Sequence, residues 1–201
     1  MAVLASGPSL TLADAAAVGS WRAQGGPRRA IVVNTTFRLC PWADALYASD
    51  RAWWEAHAEE VNGFQGEKWT QRNVRHGESW LGAQTVVVVR GEGLSGIPGV
   101  IVSGGNSGYT AIGLAREWGA RRIVLLGFDM KAEGDKVHWH GAHPKGLRQL
   151  PQFSGWVPRF AALARALELE GVEVLNCSRE TALECFARAE LGDVLRRAER
   201  N

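Results

Sequence analysis

The chain has 201 residues, 46% of them hydrophobic and 22% charged, which suits a single globular domain with a sizeable core. Its net charge of +2 is too small to indicate binding to nucleic acid or to an acidic membrane by electrostatics alone. No apolar run approaches the ~20 residues of a membrane-spanning helix, and no basic, apolar leader opens the chain. We therefore expect a cytoplasmic protein without a membrane span.

Cysteine and tryptophan are the informative residue types in the composition. The three cysteines, Cys40, Cys177 and Cys185, are odd in number and lack metal-type spacing, which favours a reducing compartment. Nine tryptophans are difficult to bury completely in one domain. Several of the indoles are therefore expected to line a groove or an interface. Such an interface could be that of a homo-oligomer.

Short apolar runs recur along the chain and are typical of strands in a parallel sheet that is covered on both faces. They are residues 2–5, 30–33, 45–48, 85–89, 100–102, 123–126 and 172–175. Apolar residues at the helical period predict six helices. They are residues 12–21, a helix that begins at residue 51, a helix that ends at about residue 118, and residues 156–170, 181–186 and 190–197. Ser9 or Thr11 is the expected N-cap of the first helix, Asp50 is that of the second, and Gly119 ends the third.

Two segments lack a regular pattern. Residues 61–84 are predicted to be an irregular, flexible excursion, because glycines interrupt every period there. Residues 131–155 are predicted to be a short lid-like loop that holds three of the five histidines. The whole pattern predicts an α/β fold, with residues 1–201 as a single Rossmann-like domain. We expect a mostly parallel twisted sheet with helices on both faces and a short His-rich lid.

Small or polar residues follow several strands at the point where each strand ends. They are Gly7, Pro8, Ser9, Asn34, Asp50 and Asp129. The carboxyl ends of parallel strands share one edge of a sheet, and α/β folds bind their ligands at that edge. Ordinary solvation of loops would produce the same pattern, so each position taken alone is ambiguous.

Two glycine turns could donate backbone N–H groups to a phosphate. One is Gly7-Pro8-Ser9, and the other runs from Gly104 to Gly108. Each lies where a strand gives way to a helix, which is a geometry that binds anions. Neither turn matches a dinucleotide-binding or P-loop motif, and the glycines could instead serve only tight turns.

The loop after Asp129 concentrates imidazole groups. His138, His140 and His143 could supply a catalytic base, ligate a metal together with Asp129, or be purely structural. Cations in the same loop could neutralise a phosphate leaving group, or they could simply be solvated. These cations are Lys131, Lys136, Lys145 and Arg148.

An ordered set of motifs covers most of the chain outside residues 51–99. It comprises LASGPSL (4–10), VVNTTFR (32–38), ALYASD (45–50), NSGYTAIGLAREWGARRIVLLGFDM (106–130), the histidine loop and VLNCSRETALECF (174–186). In order and spacing the set resembles the bacterial lipooligosaccharide sialyltransferases with a single Rossmann-like domain. It is also similar to uncharacterised proteins, many of them phage-encoded, whose location would be the host cytoplasm. More distantly it resembles the archaeal hydroxymethyldihydropterin diphosphokinases.

The resemblance implies a site for the nucleotide monophosphate part of an activated sugar. Its nucleotide-binding positions would be Gly7, Pro8, Ser9, Asn34, Asp50, Asn106, Ser107 and Gly108. Asp129 would lie near the transferred sugar. His143, or His140 if the loop aligns differently, would deprotonate the acceptor hydroxyl, a task for a group that titrates near neutrality.

We therefore expect a nucleotide-dependent transferase, most specifically an inverting glycosyltransferase with a histidine base. Its donor substrate would be a nucleotide-sugar, and it would require no metal and no other cofactor. The acceptor, a glycan or a modified base, stays open. One alternative is a Mg²⁺-dependent pyrophosphokinase of the pterin type, with Asp50 and Asp129 reaching the metal. The other is a nucleotide-binding module without catalysis.

Overall fold

A computed structural model of the chain describes residues 1–72, 82–143, 147 and 151–197. Within this part of the chain, nine strands form one sheet. They are β1 Ala2–Leu4, β2 Ala30–Val33, β3 Ala45–Tyr47, β4 Glu67–Gln71, β5 Gln84–Arg90, β6 Val100–Ser103, β7 Arg122–Leu126, β8 Glu173–Asn176 and β9 Ala187–Arg188. The helices are α1 Leu12–Ala23, α2 Arg51–Ala56, α3 Ala58–Asn62, α4 Ser107–Glu117, α5 Phe153–Leu169 and α6 Leu191–Arg197, and a 3-10 helix spans Asn34–Arg38.

The strand order across the sheet creates a switch point between β1 and β7. The order is β6-β5-β4-β3-β2-β1-β7-β8-β9. From β1 the chain extends the sheet outward to β6, and α4 then returns it to β7 on the other side of β1. The connections that follow β1 and β7 therefore diverge, which opens a crevice at the carboxyl ends of these two strands.

Helices cover both faces of the sheet, because successive side chains of a strand point to opposite sides. Val3 and Ala5 belong to a core with residues of α4 and α5, whereas Ala2 and Leu4 belong to a core with residues of α1, α2 and α6. The predicted single Rossmann-like α/β domain is confirmed. Its sheet, expected to be mostly parallel, is parallel at every pairing between the described strands.

Helix α1 begins at a capping box, which satisfies N–H groups that the first turn of a helix leaves free. The Thr11 hydroxyl accepts from the Asp14 N–H at 3.2 Å, and the Asp14 carboxylate accepts from the Thr11 N–H at 3.1 Å. Of the two residues predicted to cap this helix, Thr11 is the N-cap. The Asp14 carboxylate also accepts two hydrogen bonds from Arg179, which ties α1 to the segment after β8.

Asp14→Asn is expected to lower the free energy of unfolding at neutral pH by about 1–2 kcal/mol, because Arg179 loses a charged acceptor. Burial raises the pKa of Asp14, but hydrogen bonds from Arg179 and Thr11 outweigh burial and hold the pKa below its ordinary value. A lowered carboxyl pKa contributes stability above the unfolded-state pKa, and this contribution is lost as the pH falls. In urea denaturation, the difference between the two proteins should therefore shrink toward about pH 3.

Asp193→Asn is the matched control for this experiment. Asp193 pairs with Arg196 on α6 at 2.6 Å, and both side chains are mostly in solvent. We expect a change below about 0.5 kcal/mol at this exposed pair. A loss that is equal in both variants, or that stays constant with pH in Asp14→Asn, would contradict the role assigned to Asp14.

Helix α4 has the boundaries that its sequence indicates. Asn106 is the N-cap, and its side-chain oxygen accepts from the N–H groups of Gly108 and Tyr109 at 2.8 and 3.2 Å. Gly119 follows the last turn with a φ of +82°, the left-handed conformation that glycine adopts at helix ends. The helix thus starts at the carboxyl edge of the sheet, directly after β6.

The predicted irregular excursion over residues 61–84 is wrong for its first part. β4 lies there, paired in parallel with β3 on one side and β5 on the other. The strand is polar, and Thr70 is its one fully buried residue, so it lacks the apolar run that marks the other strands. Backbone hydrogen bonds to two neighbours hold it in the sheet. Residues 73–81 of the excursion lie outside the described residues.

The helix predicted over residues 181–186 is also wrong, because this segment is irregular and leads into β9. The Thr181 hydroxyl donates to the Phe128 carbonyl at 2.7 Å and accepts from the Leu183 N–H at 3.0 Å. The Ala182 N–H donates to the Asp129 carbonyl at 2.7 Å. Local bonds of this kind compete with helical hydrogen bonding. The segment therefore supports the loop after β7.

Helix α5 begins at Phe153, earlier than the predicted start at residue 156. Phe160, Leu163 and Leu167 recur at the helical period and are buried against the sheet. The first turn of α5 also carries Trp156 to the carboxyl edge of the sheet. Within the described residues, no helix combines the length and the apolar character needed to cross a membrane.

Candidate functional site

Two adjoining cavities open at the carboxyl edge of the sheet, over the switch point. The smaller, of about 80 Å³, lies between the loops after β1, β2 and β7. The larger, of about 410 Å³, extends toward the ends of β3, β5 and β6. The residues that line both are Asn34, Asn106, Ser107, His138, Phe153 and Trp156. The larger cavity alone falls within the range of about 300–1,000 Å³ that is typical of small-molecule sites.

A separate groove of about 540 Å³ lies between α5, β8 and β9. Its walls combine Arg165, Glu168 and Glu173 with apolar residues of α5 and β9. None of the small and polar residues that end the strands lines this groove. The carboxyl edge is therefore the better candidate for a functional site.

The turn after β1 is bound to the loop after β7. Both carboxylate oxygens of Asp129 accept from Ser9, one from its N–H at 2.8 Å and one from its hydroxyl at 2.9 Å. The Gly7 N–H donates to the Gly127 carbonyl at 2.8 Å, and Pro8 has no N–H. The N–H groups expected to contact a phosphate are thus engaged within the protein. In this structure the turn shapes the small cavity rather than presenting free donors.

Asp129 is deeply placed for a residue predicted to act near a transferred group. It is 1% exposed, although it lines the smaller cavity. Burial raises the pKa of its carboxyl, and the hydrogen bonds from Ser9 oppose the rise. The contacts show a residue that holds two loops together at the floor of the site.

Like Met130, Asn34 has a positive φ at this edge, which is uncommon for a residue other than glycine. Its φ is +51°, in the left-handed region that costs non-glycine residues free energy, although asparagine tolerates it better than most. Its side-chain oxygen is buried and has no hydrogen-bond partner among the residues that the structure describes, and the residue lines both cavities. A strained residue with an unsatisfied polar atom at a cavity wall is typical of a binding site.

The second glycine turn also uses much of its donor capacity internally. The Asn106 side chain accepts from the N–H groups of Gly108 and Tyr109, which begin α4. Gly108 packs closely on Phe128, where an added Cβ would lie 2.9 Å from a ring carbon. Ser107 lines both cavities. The structure therefore brings the predicted residues 106–108 to the site, with Ser107 beside the open space.

Trp139 positions the histidine loop, and the sequence reasoning missed it. Its N–H donates to the Ser6 carbonyl at 3.1 Å, and its indole N–H donates to the Thr36 hydroxyl at 3.3 Å. The Thr36 hydroxyl is itself hydrogen bonded to the Ser6 hydroxyl at 3.0 Å. Trp139 thereby anchors the loop to the ends of β1 and β2. The position of a tryptophan between two histidines is the signal in the sequence that could have indicated this role.

The three histidines of the loop form one cluster. Each offers one ring nitrogen, and these nitrogens all lie within 4.8 Å of one another. His138 and His143 line the larger cavity, whereas His140 lines neither cavity. The Nε2 atom of His140 and the Nδ1 atom of His143 are buried, and neither has a hydrogen-bond partner among the described residues. Of the two histidines predicted as a base, His143 is the one beside the open space.

The environment lowers the pKa of each imidazole in this cluster. Burial, and then the charge of His143, lowers the pKa of His138 to about 4. Burial and its histidine neighbours lower the pKa of His140 to about 3. Burial and the nearby His57 lower the pKa of His143, and Asp50 opposes that shift. Neutral imidazole can accept a proton or ligate a metal.

Asp50 lies at the N-cap position of α2, as predicted, but its side chain makes no capping hydrogen bond. The carboxylate instead lines the larger cavity, as does His143, with which it interacts electrostatically. A carboxylate beside an imidazole stabilises the imidazolium that forms when the ring takes up a proton. The structure therefore brings a carboxylate and an imidazole to the wall of the same cavity.

Several cavity residues were missed by the sequence reasoning. Arg90 and Ser103 end β5 and β6 at the same edge, and Phe153 and Trp156 open α5 above it. The strand-end rule that selected Asn34 would also have selected Arg90 and Ser103. The aromatic pair became visible as wall residues only when the start of α5 was known.

Of the four cations predicted to surround the histidines, Lys131 lines the smaller cavity but pairs with Glu180 at 2.7 Å. Lys136 is exposed and lines neither cavity. Lys145 and Arg148 lie outside the described residues. Arg90 is therefore the cation that the structure brings to the wall of the larger cavity.

No protein-family model matches the chain, and no characterised protein or solved structure matches it either. The family resemblance stated from the ordered motifs thus stays a prediction. What the chain does has to be argued from the chemistry of the cavities at the carboxyl edge.

Proposed function

We propose that the chain is a nucleotide-dependent transferase that moves a glycosyl group from a nucleotide-sugar to an acceptor hydroxyl. One observation carries the proposal: the two adjoining cavities at the switch point combine aromatic, amide, cationic and imidazole groups in one wall. A nucleotide-sugar offers a base to stack, a phosphate to neutralise and a bond whose cleavage needs a proton acceptor nearby. Each of these needs has a matching residue here.

The nucleotide half of the substrate would use the wall formed by α5, β5 and β2. Trp156 and Phe153 offer ring faces on which a base can stack. Arg90 ends β5 at the same cavity and can pair with a phosphate through two N–H groups. The unsatisfied side-chain oxygen of Asn34 would accept a hydrogen bond from a hydroxyl of the ribose.

The transfer step would use His143 as the proton acceptor. Its buried Nδ1 has no hydrogen-bond partner in the part of the chain that the structure describes, and the residue lines the larger cavity with Asp50. As the acceptor oxygen forms its bond to the anomeric carbon, the bond from that carbon to the phosphate breaks. The hydroxyl proton passes to Nδ1, and Asp50 stabilises the resulting imidazolium. This single displacement inverts the anomeric centre.

The geometry supports the Mg²⁺-dependent pyrophosphokinase less well. That reading needs Asp50 and Asp129 to reach one metal, but Asp50 lines the larger cavity and Asp129 the smaller. Both oxygens of Asp129 already accept from Ser9. Within the part of the chain that the structure describes, the three histidines are the one group with metal-ligand spacing. Mg²⁺ prefers oxygen ligands.

Calorimetric titration with the mono- and diphosphates of cytidine, uridine, guanosine and adenosine tests the binding half of the proposal. We expect at least one of them to bind, and Trp156→Ala to weaken that binding by about 5- to 150-fold through lost stacking. Trp118→Ala is the matched control, because Trp118 follows α4 away from the cavities and packs on Trp69. Absence of binding by all of these nucleotides would refute the proposal.

A panel of nucleotide-sugars with simple hydroxylated acceptors then separates an enzyme from a binding module. Release of free nucleotide that depends on the acceptor supports the transferase. Nucleotide binding with no turnover of any donor would instead favour a non-catalytic role for the same cavities.

A further inference from the structure

In the histidine cluster, more ring nitrogens lack hydrogen-bond partners among the described residues than a single proton acceptor would need. The Nε2 atom of His140 and the Nδ1 atom of His143 are both buried and have no hydrogen-bond partner within residues 1–72, 82–143, 147 and 151–197. Native proteins satisfy nearly all their buried polar atoms. Two unsatisfied imidazole nitrogens in one cluster therefore point to a shared electrophile that accepts their lone pairs.

The spacing of the rings suits a single metal ion. One ring nitrogen from each of His138, His140 and His143 lies within 4.8 Å of the other two. The ring centroids are 4.6 to 5.1 Å apart. In a tetrahedral zinc site, Zn–N distances of about 2.0–2.1 Å place neighbouring nitrogens about 3.3 Å apart. Closing the remaining difference requires side-chain rotation, above all at His138 and His140, whose ring planes are only 11° apart.

The donor set selects a transition metal over Mg²⁺ or Ca²⁺. It consists of three imidazoles, and neither a carboxylate nor a thiolate belongs to the cluster among the described residues. Imidazole suits Zn²⁺, Cu²⁺ and Ni²⁺, whereas Mg²⁺ and Ca²⁺ take oxygen ligands.

The scaffold around the cluster is rigid enough to hold an ion. Trp139, between two of the histidines, is anchored to Ser6 and Thr36 at the ends of the central strands. Behind the cluster, His57 is 2% exposed and stacks on Trp53, with ring centroids 4.6 Å apart. Ligands carried by supported backbone pay little ordering entropy on binding.

We propose that His138, His140 and His143 form a site for one divalent transition-metal ion, represented by Zn²⁺, with an open coordination position toward the larger cavity. This site goes beyond the proposed transferase and does not depend on it. An ion bound through Nδ1 of His143 occupies the lone pair that the transfer step uses. The metal-loaded protein is therefore a form in which His143 does not accept a proton.

The test is a Zn²⁺ titration of the untagged full chain by calorimetry, with the metal content measured by mass spectrometry after dialysis. We expect one Zn²⁺ per chain. Each of His138→Ala, His140→Ala and His143→Ala should weaken binding by more than about 100-fold, because even losing an outer partner of a ligand costs about 10- to 100-fold. Lys136→Ala, an exposed substitution in the same loop, should leave the affinity unchanged.

A second measurement keeps the test independent of folding defects in the variants. Co²⁺ added to the wild-type protein should give the visible absorption of a tetrahedral nitrogen site, and Zn²⁺ should abolish it. The proposal is overturned if the wild-type chain binds neither ion in the micromolar range, or if folded single variants retain full affinity. Neither readout involves a nucleotide, so failure of the transferase proposal would leave this result standing.

Discussion

His143→Gln will lower the rate of glycosyl transfer by about 10²- to 10⁴-fold while leaving nucleotide affinity within about threefold. Glutamine keeps the approximate size of the side chain but cannot take up a proton at neutral pH. The unpartnered Nδ1 of His143 lies at the larger cavity, beside Asp50, so its loss removes the proposed proton acceptor. The rate should be measured with a chelator present, so that no metal competes for the imidazole.

His140→Gln is the contrasting variant, because His140 lies in the same cluster but lines neither cavity. We expect its rate to fall by less than about 10-fold. Asp50→Asn should produce an intermediate loss, since the imidazolium is then less stabilised. If His143→Gln retained wild-type turnover, the assignment of the base would be wrong.

The pH dependence offers a further check on the same residue. Burial and His57 lower the pKa of His143 from its ordinary value of 6.5, with Asp50 opposing the shift. A base acts in its neutral form, so kcat/KM should stay level as the pH falls to this ordinary value and decline only below it. This decline of kcat/KM at low pH should be absent from the residual activity of His143→Gln.

Gly7→Ala is expected to lower the free energy of unfolding by about 3 kcal/mol or more, through overpacking and lost hydrogen bonds to a charged group. An added Cβ at Gly7 would lie 2.0 Å from Oδ1 of Asp129 and 2.5 Å from the Gly127 carbonyl oxygen. Asp129 would have to move away from Ser9, which donates to both of its oxygens. Urea denaturation measures the loss, and nucleotide titration should show weakened binding.

Gly155→Ala is the matched control, because it makes the same chemical change at the same edge of the sheet. Among the described residues, a Cβ at Gly155, in the first turn of α5, would meet no atom within 4 Å beyond its chain neighbours and its own helix backbone. We expect a gain of up to about 1 kcal/mol there, from reduced freedom of the unfolded chain. Equal effects of the two substitutions would contradict the tight packing assigned to Gly7.

A double substitution shows whether the Asp129 carboxylate is the group that leaves no space for a Cβ at position 7. Asp129→Ala alone should destabilise the protein, because Ser9 loses its acceptor. Gly7→Ala should then cost less in this background than in the wild type, since the clash with the Asp129 carboxylate is removed and that with the Gly127 carbonyl remains. Simple additivity of the two losses would argue against a direct clash.

Much of the fold was predictable because apolar side chains mark elements that are buried on both sides. β2 has its predicted boundaries, and β1, β3, β5, β6, β7 and β8 were each predicted to within a residue or two. β4 was missed because its residues are polar and backbone pairing holds it. The helix expected over residues 181–186 failed because Thr181 bonds to the loop after β7 instead.

The candidate site was predictable only in part. Parallel strands bring their carboxyl ends together, so Asn34, Asp50 and Ser107 could be assigned to one edge before any coordinates were known. The role of Asp129 depends on its contact with Ser9, 120 positions away in the sequence, which strand-end rules do not describe. Which glycine-turn N–H groups are free could be read only from the folded chain.

By itself, the sequence determined that the protein is a parallel α/β domain with polar strand ends and a histidine loop, because burial and periodicity are local properties. Only the tertiary structure decided that three imidazoles converge, that His143 rather than His140 lines the open space, and that Asp129 binds Ser9. These facts depend on how loops pack across the switch point. Such packing is set by contacts between distant residues, and no local pattern encodes it.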